Sequence, residues 1–287
     1  MNDGRHIEIG DTRLWVVERG AGLPLITLHG GPGLDHHSWG DYLDALGDRY
    51  RLVLVDQRSQ GLSEATRPTT WTVAQMAQDV TALAAALGYE RYAVLGHSYG
   101  AFVALQHAVD MPGAAVATII SSGVPSARFL SEVEHQLAIF EPLALREQVA
   151  AAWAAERTVQ TQAEVARLMH NQLPFHFREP LDPRIADFER RTTGAVFAPA
   201  MLRHFANADY GSIEVEARLA AVTQPVLVLA GRHDRVCPVA AAETIAAGIP
   251  HAQFACFEQS AHMTFAEENP QYIALVRAFL DQHVGAN

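Results

Sequence analysis

The sequence predicts an α/β protein built on one mostly parallel sheet, and three observations carry that reading. Short, nearly continuous apolar runs recur along the chain, most are separated by stretches with apolar residues three and four apart, and only the first two runs lie close enough in sequence to pair as an antiparallel edge. Strands buried on both faces read as unbroken apolar runs, and the helices between them supply the cover.

The elements follow in order. Strands are expected at 6–10, 13–19 (RLWVVER), 24–28 (PLITL), 51–56 (RLVLVD), 92–96 (YAVLG), 115–121 (AVATIIS), 225–230 (PVLVLA) and 252–258 (AQFACFE). Helices are expected at 72–87, where Val73, Met76, Val80, Leu83 and Leu87 form one apolar stripe, and at 99–110, 238–248 and 269–283. Between 126 and 212 the alternation stops. That stretch holds helical runs such as FLSEVEHQLAIF and ALREQVAAAWAAER, then the proline-punctuated LPFHFREPLDPR, with no strand pattern. It reads as a helical cap inserted into a core formed by 1–125 and 213–287; a helical domain packed elsewhere is the alternative.

Composition narrows the function classes. With 49% hydrophobic and 18% charged residues over 287 positions, the chain can bury a sizeable core. A formal net charge of −11 and the lack of any Lys/Arg cluster exclude a nucleic-acid footprint. Cys237 and Cys256 are too few for a disulfide framework and lack zinc-ligand spacing, which suits reduced thiols in the cytoplasm. The start, MNDGRHIEIG with its acidic Asp3, has no apolar core of signal-peptide length, and no run is long enough to span a bilayer, so no membrane partner is expected.

The chemistry centres on GHSYG at 96–100. A serine hydroxyl needs a base to take its proton, a group to orient that base, and donors for the oxyanion. Gly96-His97-Ser98-Tyr99-Gly100 fits the G-x-S-x-G nucleophile elbow, with a strand before it and a helix after it. A glycine turn needed only for backbone geometry is the alternative for this stretch taken alone. Three further segments end strands at the same sheet edge, where open α/β sheets place their sites. His29-Gly30-Gly31-Pro32-Gly33 can present a backbone donor, Gly31 being the choice, with the Tyr99 N–H as its partner. Gly231-Arg232-His233-Asp234 supplies a carboxylate, and FEQSAHMTFAEENP carries His262. Asp234 is also the acid by elimination, since Asp56 precedes the serine and organises its own loop, and SGVPS after the strand at 115–121 has no carboxylate. Among 14 histidines, His262 stands out by its place after the last strand. His36 and His37 are assigned to the pocket rim or solvent, and no metal site is expected. The chemistry requires no cofactor.

With HGGPG at 29–33, DQRSQGLS at 56–63, GHSYG at 96–100, GRHDRVCP at 231–238 and SAH at 260–262, the chain resembles the α/β-hydrolase superfamily over nearly its whole length. Within it, the proline iminopeptidase-like branch is the nearest pattern. The resemblance implies the α/β-hydrolase fold, a mostly parallel eight-stranded sheet with helices on both faces and an inserted helical cap. It further implies a Ser98, Asp234, His262 triad, a Gly31/Tyr99 oxyanion hole, and substrate contacts near Gly30 and His97. Two positions depart from the branch: Ser59 and His97 stand where it usually has glycine, and a histidine before the nucleophile is more typical of esterases and lactonases. Peptidases of this type hold the substrate's amino terminus with cap carboxylates. Of Glu132, Glu134, Glu156, Glu164, Glu189 and Asp209, the choices here are Glu156 and Asp209.

The expected function is therefore a serine hydrolase forming an acyl-enzyme on a small molecule or short peptide. Release of an amino-terminal residue leads, and a carboxylesterase or lactonase on small esters is the alternative. A non-catalytic receptor or binding protein of the same fold would show a damaged triad or oxyanion loop, and neither is damaged here.

Overall fold

The computed structural model describes residues 4–284, so Asp3 lies outside the described residues. The strands are β1 (Arg5–Glu8), β2 (Arg13–Arg19), β3 (Leu23–Leu28), β4 (Tyr50–Val55), β5 (Ala93–His97), β6 (Ala117–Ser121), β7 (Val226–Gly231) and β8 (Gln253–Phe257). They form one sheet in the order β1-β2-β4-β3-β5-β6-β7-β8. From β4 to β8 all neighbours are parallel. The antiparallel part goes one strand further than the β1–β2 edge, because β2 also runs antiparallel to β4.

Alternation along β5 shows why both faces need cover. Val94 joins one core cluster with Ile26, Val53 and Ile120, whereas Ala93 and Leu95 join the other with Leu25, Leu52 and Ile119. Each of these fully buried Val, Leu and Ile side chains contributes about 1.5–3 kcal/mol. The first face is covered by α1 (Val73–Ala86), α2 (Tyr99–Asp110) and α8 (Val239–Gly248). The second is covered by α10 (Asn269–Val284), which follows the short α9 (Thr264–Glu267). Thr72 caps α1 by accepting the Gln75 N–H, which fixes its start.

Between β6 and β7 the chain forms α3 (Glu132–Ile139), α4 (Leu143–Ala155), α5 (Gln162–His176), α6 (Arg184–Arg191) and α7 (Pro199–Ala206), with no strand. A capping box of Thr161 and Glu164 starts α5, so the Glu164 carboxylate serves its own helix. Asp35 ties the helical segment to the HGGPG loop by accepting the Val196 N–H. Among the described residues, no helix is long and apolar enough to cross a membrane.

Candidate active site

The site begins with an expensive backbone. Ser98, between β5 and α2, has φ 54° and ψ −122°, a left-handed-side conformation that a non-glycine residue adopts only under constraint. The flanking glycines impose it. A Cβ on Gly96 would lie 2.1 Å from the Gly100 carbonyl oxygen, and one on Gly100 would lie 2.1 Å from that of Leu28. The glycine turn and the nucleophile elbow are thus one feature: close packing of strand, helix and neighbouring strand is what raises the serine out of the sheet.

Parallel pairing brings the other segments alongside. Leu28 is in register with Gly96, so the HGGPG loop leaves β3 beside the elbow, and a Cβ on Gly30 would meet the Ser98 Cβ at 3.1 Å. Asp234 follows β7 and His262 follows β8. His262 Nε2 lies 2.9 Å from Ser98 Oγ, and its Nδ1 lies 2.8 Å from Asp234 Oδ2. The other Asp234 oxygen accepts the Val236 and Cys237 N–H groups, at 2.8 and 2.9 Å, which fixes the carboxylate's orientation. Both side chains are buried. The structure therefore aligns serine, imidazole and carboxylate in the row that the chain order suggested.

Two backbone donors border Ser98. Gly31, at φ 58°, belongs to the loop beside it, and Tyr99 is the first residue of α2, where N–H groups lack intrahelical acceptors. Among the described residues neither N–H has a backbone acceptor.

Ser98 and His262 open into a cavity of about 1110 Å³ between the sheet edge and the helical segment. Its walls are mainly apolar, with Trp39, Phe102, Leu137, Trp153, Met169 and Phe265 among them. Glu156 and Asp209 both line it, as do Glu134 and Glu189, whereas Glu132 and Glu164 do not. The two chosen acids differ in setting: Glu156 is buried and Asp209 exposed. Glu156 accepts hydrogen bonds from Gln172 Nε2 at 2.7 Å and from the Tyr210 hydroxyl. Burial outweighs those donors and pushes its carboxyl up to about 7. Tyr210 reaches it from a strained turn, since Asp209, Tyr210 and Ser212 all have positive φ.

His97 ends β5 and is buried beneath the elbow, with Nδ1 3.2 Å from Ser121 Oγ. Burial first, then the neighbouring His262 and His176, hold its pKa well below the ordinary histidine value, so it is neutral. It also lines the cavity.

One assignment made from sequence changes. His36 is not on the rim or in solvent: it is 1% exposed, and its Nδ1 lies 2.6 Å from Asp56 Oδ1. Neither His36 nor the half-buried His37 lines the cavity. Asp56 accordingly organises two loops, because its second oxygen accepts the Leu62 N–H. Ser59, at φ 60°, occupies a position where glycine is cheaper, and its hydroxyl accepts the Thr66 N–H and the Trp71 indole N–H.

Donor atoms of Asp35, His36 and His37 approach within 4.8 Å of one another, as do those of Asp234, Cys237 and His262. In the first group Asp35 already accepts the backbone N–H groups of His37 and Val196 and pairs with the His37 ring. In the second the Asp234–His262 bond occupies both partners, and burial pushes the Cys237 thiol well above its ordinary value. Asp35, Asp234 and His262 are thus committed to protein partners, whereas His36 Nε2 is buried without one.

Sequence reasoning missed Trp153, Gln172, His176 and Tyr210, which line the cavity. Only Tyr210, adjacent to Asp209, carried a usable signal; the others are helix residues whose facing depends on how α4 and α5 pack.

This fold and this site define an α/β-hydrolase arrangement, and the chain belongs to the alpha/beta hydrolase fold family, whose model matches residues 24–269. Among curated proteins it is 27% identical to the proline iminopeptidase of Heyndrickxia coagulans over 273 residues, covering 92% of each chain. Among solved structures it is similar to the proline iminopeptidase of Mycobacterium smegmatis, with 27% identity, a TM-score of 0.75 and 98% of each chain covered. An alpha/beta fold family hydrolase from Bacillus anthracis shares the fold, with a TM-score of 0.80, 21% identity, and 96% of this chain and 99% of that one covered.

Proposed function

We propose that the protein is a serine hydrolase that releases an amino-terminal residue through an acyl-enzyme, in the manner of a proline iminopeptidase. The observation that carries this is the hydrogen-bonded row from Ser98 through His262 to Asp234, at 2.9 and 2.8 Å. His262 takes the Ser98 proton as the hydroxyl attacks the carbonyl carbon, and Asp234 holds the imidazole's tautomer and stabilises the imidazolium. The Gly31 and Tyr99 N–H groups bind the oxyanion; each such donor is worth about 3 kcal/mol to the transition state. His262 then protonates the leaving amine, and water attacks the acyl-enzyme. The helical segment is the cap, and Glu156 is the carboxylate for the substrate's ammonium, assisted by Asp209 at the rim. The likeness to proline iminopeptidases over the chain's length supports that substrate class. The two unpaired cysteines support a reducing compartment, the cytoplasm.

A second reading has its own support. The cavity's size and apolar walls, with His97 behind the nucleophile, favour an esterase or lactonase on small acyl esters. Proline p-nitroanilide and p-nitrophenyl acetate separate the two. Rapid cleavage of the anilide is expected, and cleavage of the ester alone rules out the peptidase.

A further inference from the structure

We propose that the carboxyl end of α5 is a clasp that positions Asp234 and His262, with Arg235 and His176 as its working side chains. The inference rests on the serine-hydrolase reading above and adds what keeps its row of side chains in register. Asp234 and His262 sit on loops after the neighbouring parallel strands β7 and β8; the Arg232 and His233 N–H groups tie these loops to the Phe257 and Ser260 carbonyls, but neither bond reaches the Asp234 or His262 side chain. Residues 175–178, which belong to the cap, are bonded to both loops.

On the Asp234 side, the adjoining Arg235 reaches the end of α5. Its guanidinium donates to the carbonyls of Phe175 at 3.1 Å, Phe177 at 2.7 Å and Arg178 at 2.9 Å. A cation suits this place, because terminal helix carbonyls lack intrahelical donors and the helix dipole is negative there. The guanidinium also lies over the Phe140 and Phe175 rings, at 5.2 and 5.9 Å.

On the His262 side there are two ties. The His262 N–H donates to the His176 carbonyl at 2.9 Å. Glu267 accepts the Arg178 and Ala261 N–H groups, each at 2.8 Å. The His176 ring then packs on the His262 ring, with centroids 5.3 Å apart and planes 36° apart, and His97 packs against the same ring at 5.0 Å and 49°. Burial, then His262, holds the His176 pKa at about 3, so this neighbour is neutral, like His97. The titratable groups facing the His262 ring are thus His97 from β5, His176 from α5, and Asp234 and Cys237 after β7, while Arg235 and Glu267 hold the backbone around it. Two neutral rings restrict the tilt of the imidazole without opposing the charge it gains in the reaction.

The full chain is tested with Arg235→Met, Arg235→Lys, His176→Ala and His176→Phe, on whichever of the two chromogenic substrates the wild type cleaves. Arg235→Met should lower kcat about 100-fold, the cost of a misplacement near 1 Å, with KM close to wild type. Arg235→Lys should recover part of the loss, since an ammonium can still donate to the carbonyls. His176→Ala should lower kcat as well, and His176→Phe, which keeps a ring against His262, should recover much of it. Folded Arg235→Met with wild-type kcat, or a loss confined to KM, overturns the clasp. If Arg235→Met does not fold, the His176 pair decides, and His176→Ala with wild-type kcat overturns it. Ser98→Ala run alongside separates the two failures, because activity surviving there overturns the serine-hydrolase reading itself.

Discussion

Replacing Glu156 by Gln should make the protein more stable at alkaline pH while weakening its hold on an amino terminus. Glu156 is 3% exposed, and burial, opposed by Tyr210 and Gln172, raises its carboxyl from the ordinary 4.5 to about 7. A carboxyl raised on folding binds its proton more tightly in the folded state. Its contribution is therefore fullest below about pH 4.5 and is lost as pH rises through about 7. At about 1.36 kcal/mol per pH unit, the loss is on the order of 3 kcal/mol by about pH 8. Gln keeps the shape and carries no charge, so Glu156→Gln should match the wild type near pH 4 and exceed it by up to about 3 kcal/mol near pH 8. Urea denaturation across that range measures the difference. Glu267, also pushed up to about 7, titrates in both proteins and cancels. In parallel, kcat/KM on proline p-nitroanilide should fall in the variant, and in the wild type KM should improve as pH rises through about 7 and Glu156 ionises. A stability difference that stays constant from acid to alkaline pH would refute the assignment of a buried, uncharged Glu156.

Two further outcomes test the scaffold. Gly100→Ala would drive a methyl to within 2.1 Å of the Leu28 carbonyl oxygen, so it should cost about 4 kcal/mol or more and yield little folded protein, read by soluble yield and denaturation midpoint. Arg58 is fully buried, with hydrogen bonds to Asp79 at 2.6 and 2.8 Å and to Asp11 at 2.9 Å. Arg58→Met leaves the Asp79 carboxylate buried without its cation and should destabilise by about 3–5 kcal/mol in the same assay.

The sheet was legible because β3, β5, β6 and β7 are buried on both faces, so their sequences are nearly continuous apolar runs, while β1 and β2 at the edge are only partly buried. Strand order was not legible. That β3 lies between β4 and β5 depends on crossovers, and the β2–β4 pairing follows from that order. In the site, the four segments of the Ser98 region could be found because each is a short motif at a strand's carboxyl end. The cap wall could not: Trp153, Gln172 and His176 lie on α4 and α5, where many residues share the same composition and only helix packing selects those that face inward. His36 was misjudged for a related reason. Beside a glycine loop it reads as exposed, and only the fold brings the Asp56 carboxylate to its Nδ1.

The most direct measurement is labelling with a fluorophosphonate, which reports a serine activated by its own base. One label per chain, mapped to Ser98, lost in Ser98→Ala and greatly slowed in His262→Ala, is the predicted result. Label at another residue, or reaction at Ser98 that proceeds unchanged without His262, would contradict the row of serine, histidine and aspartate as the source of activity.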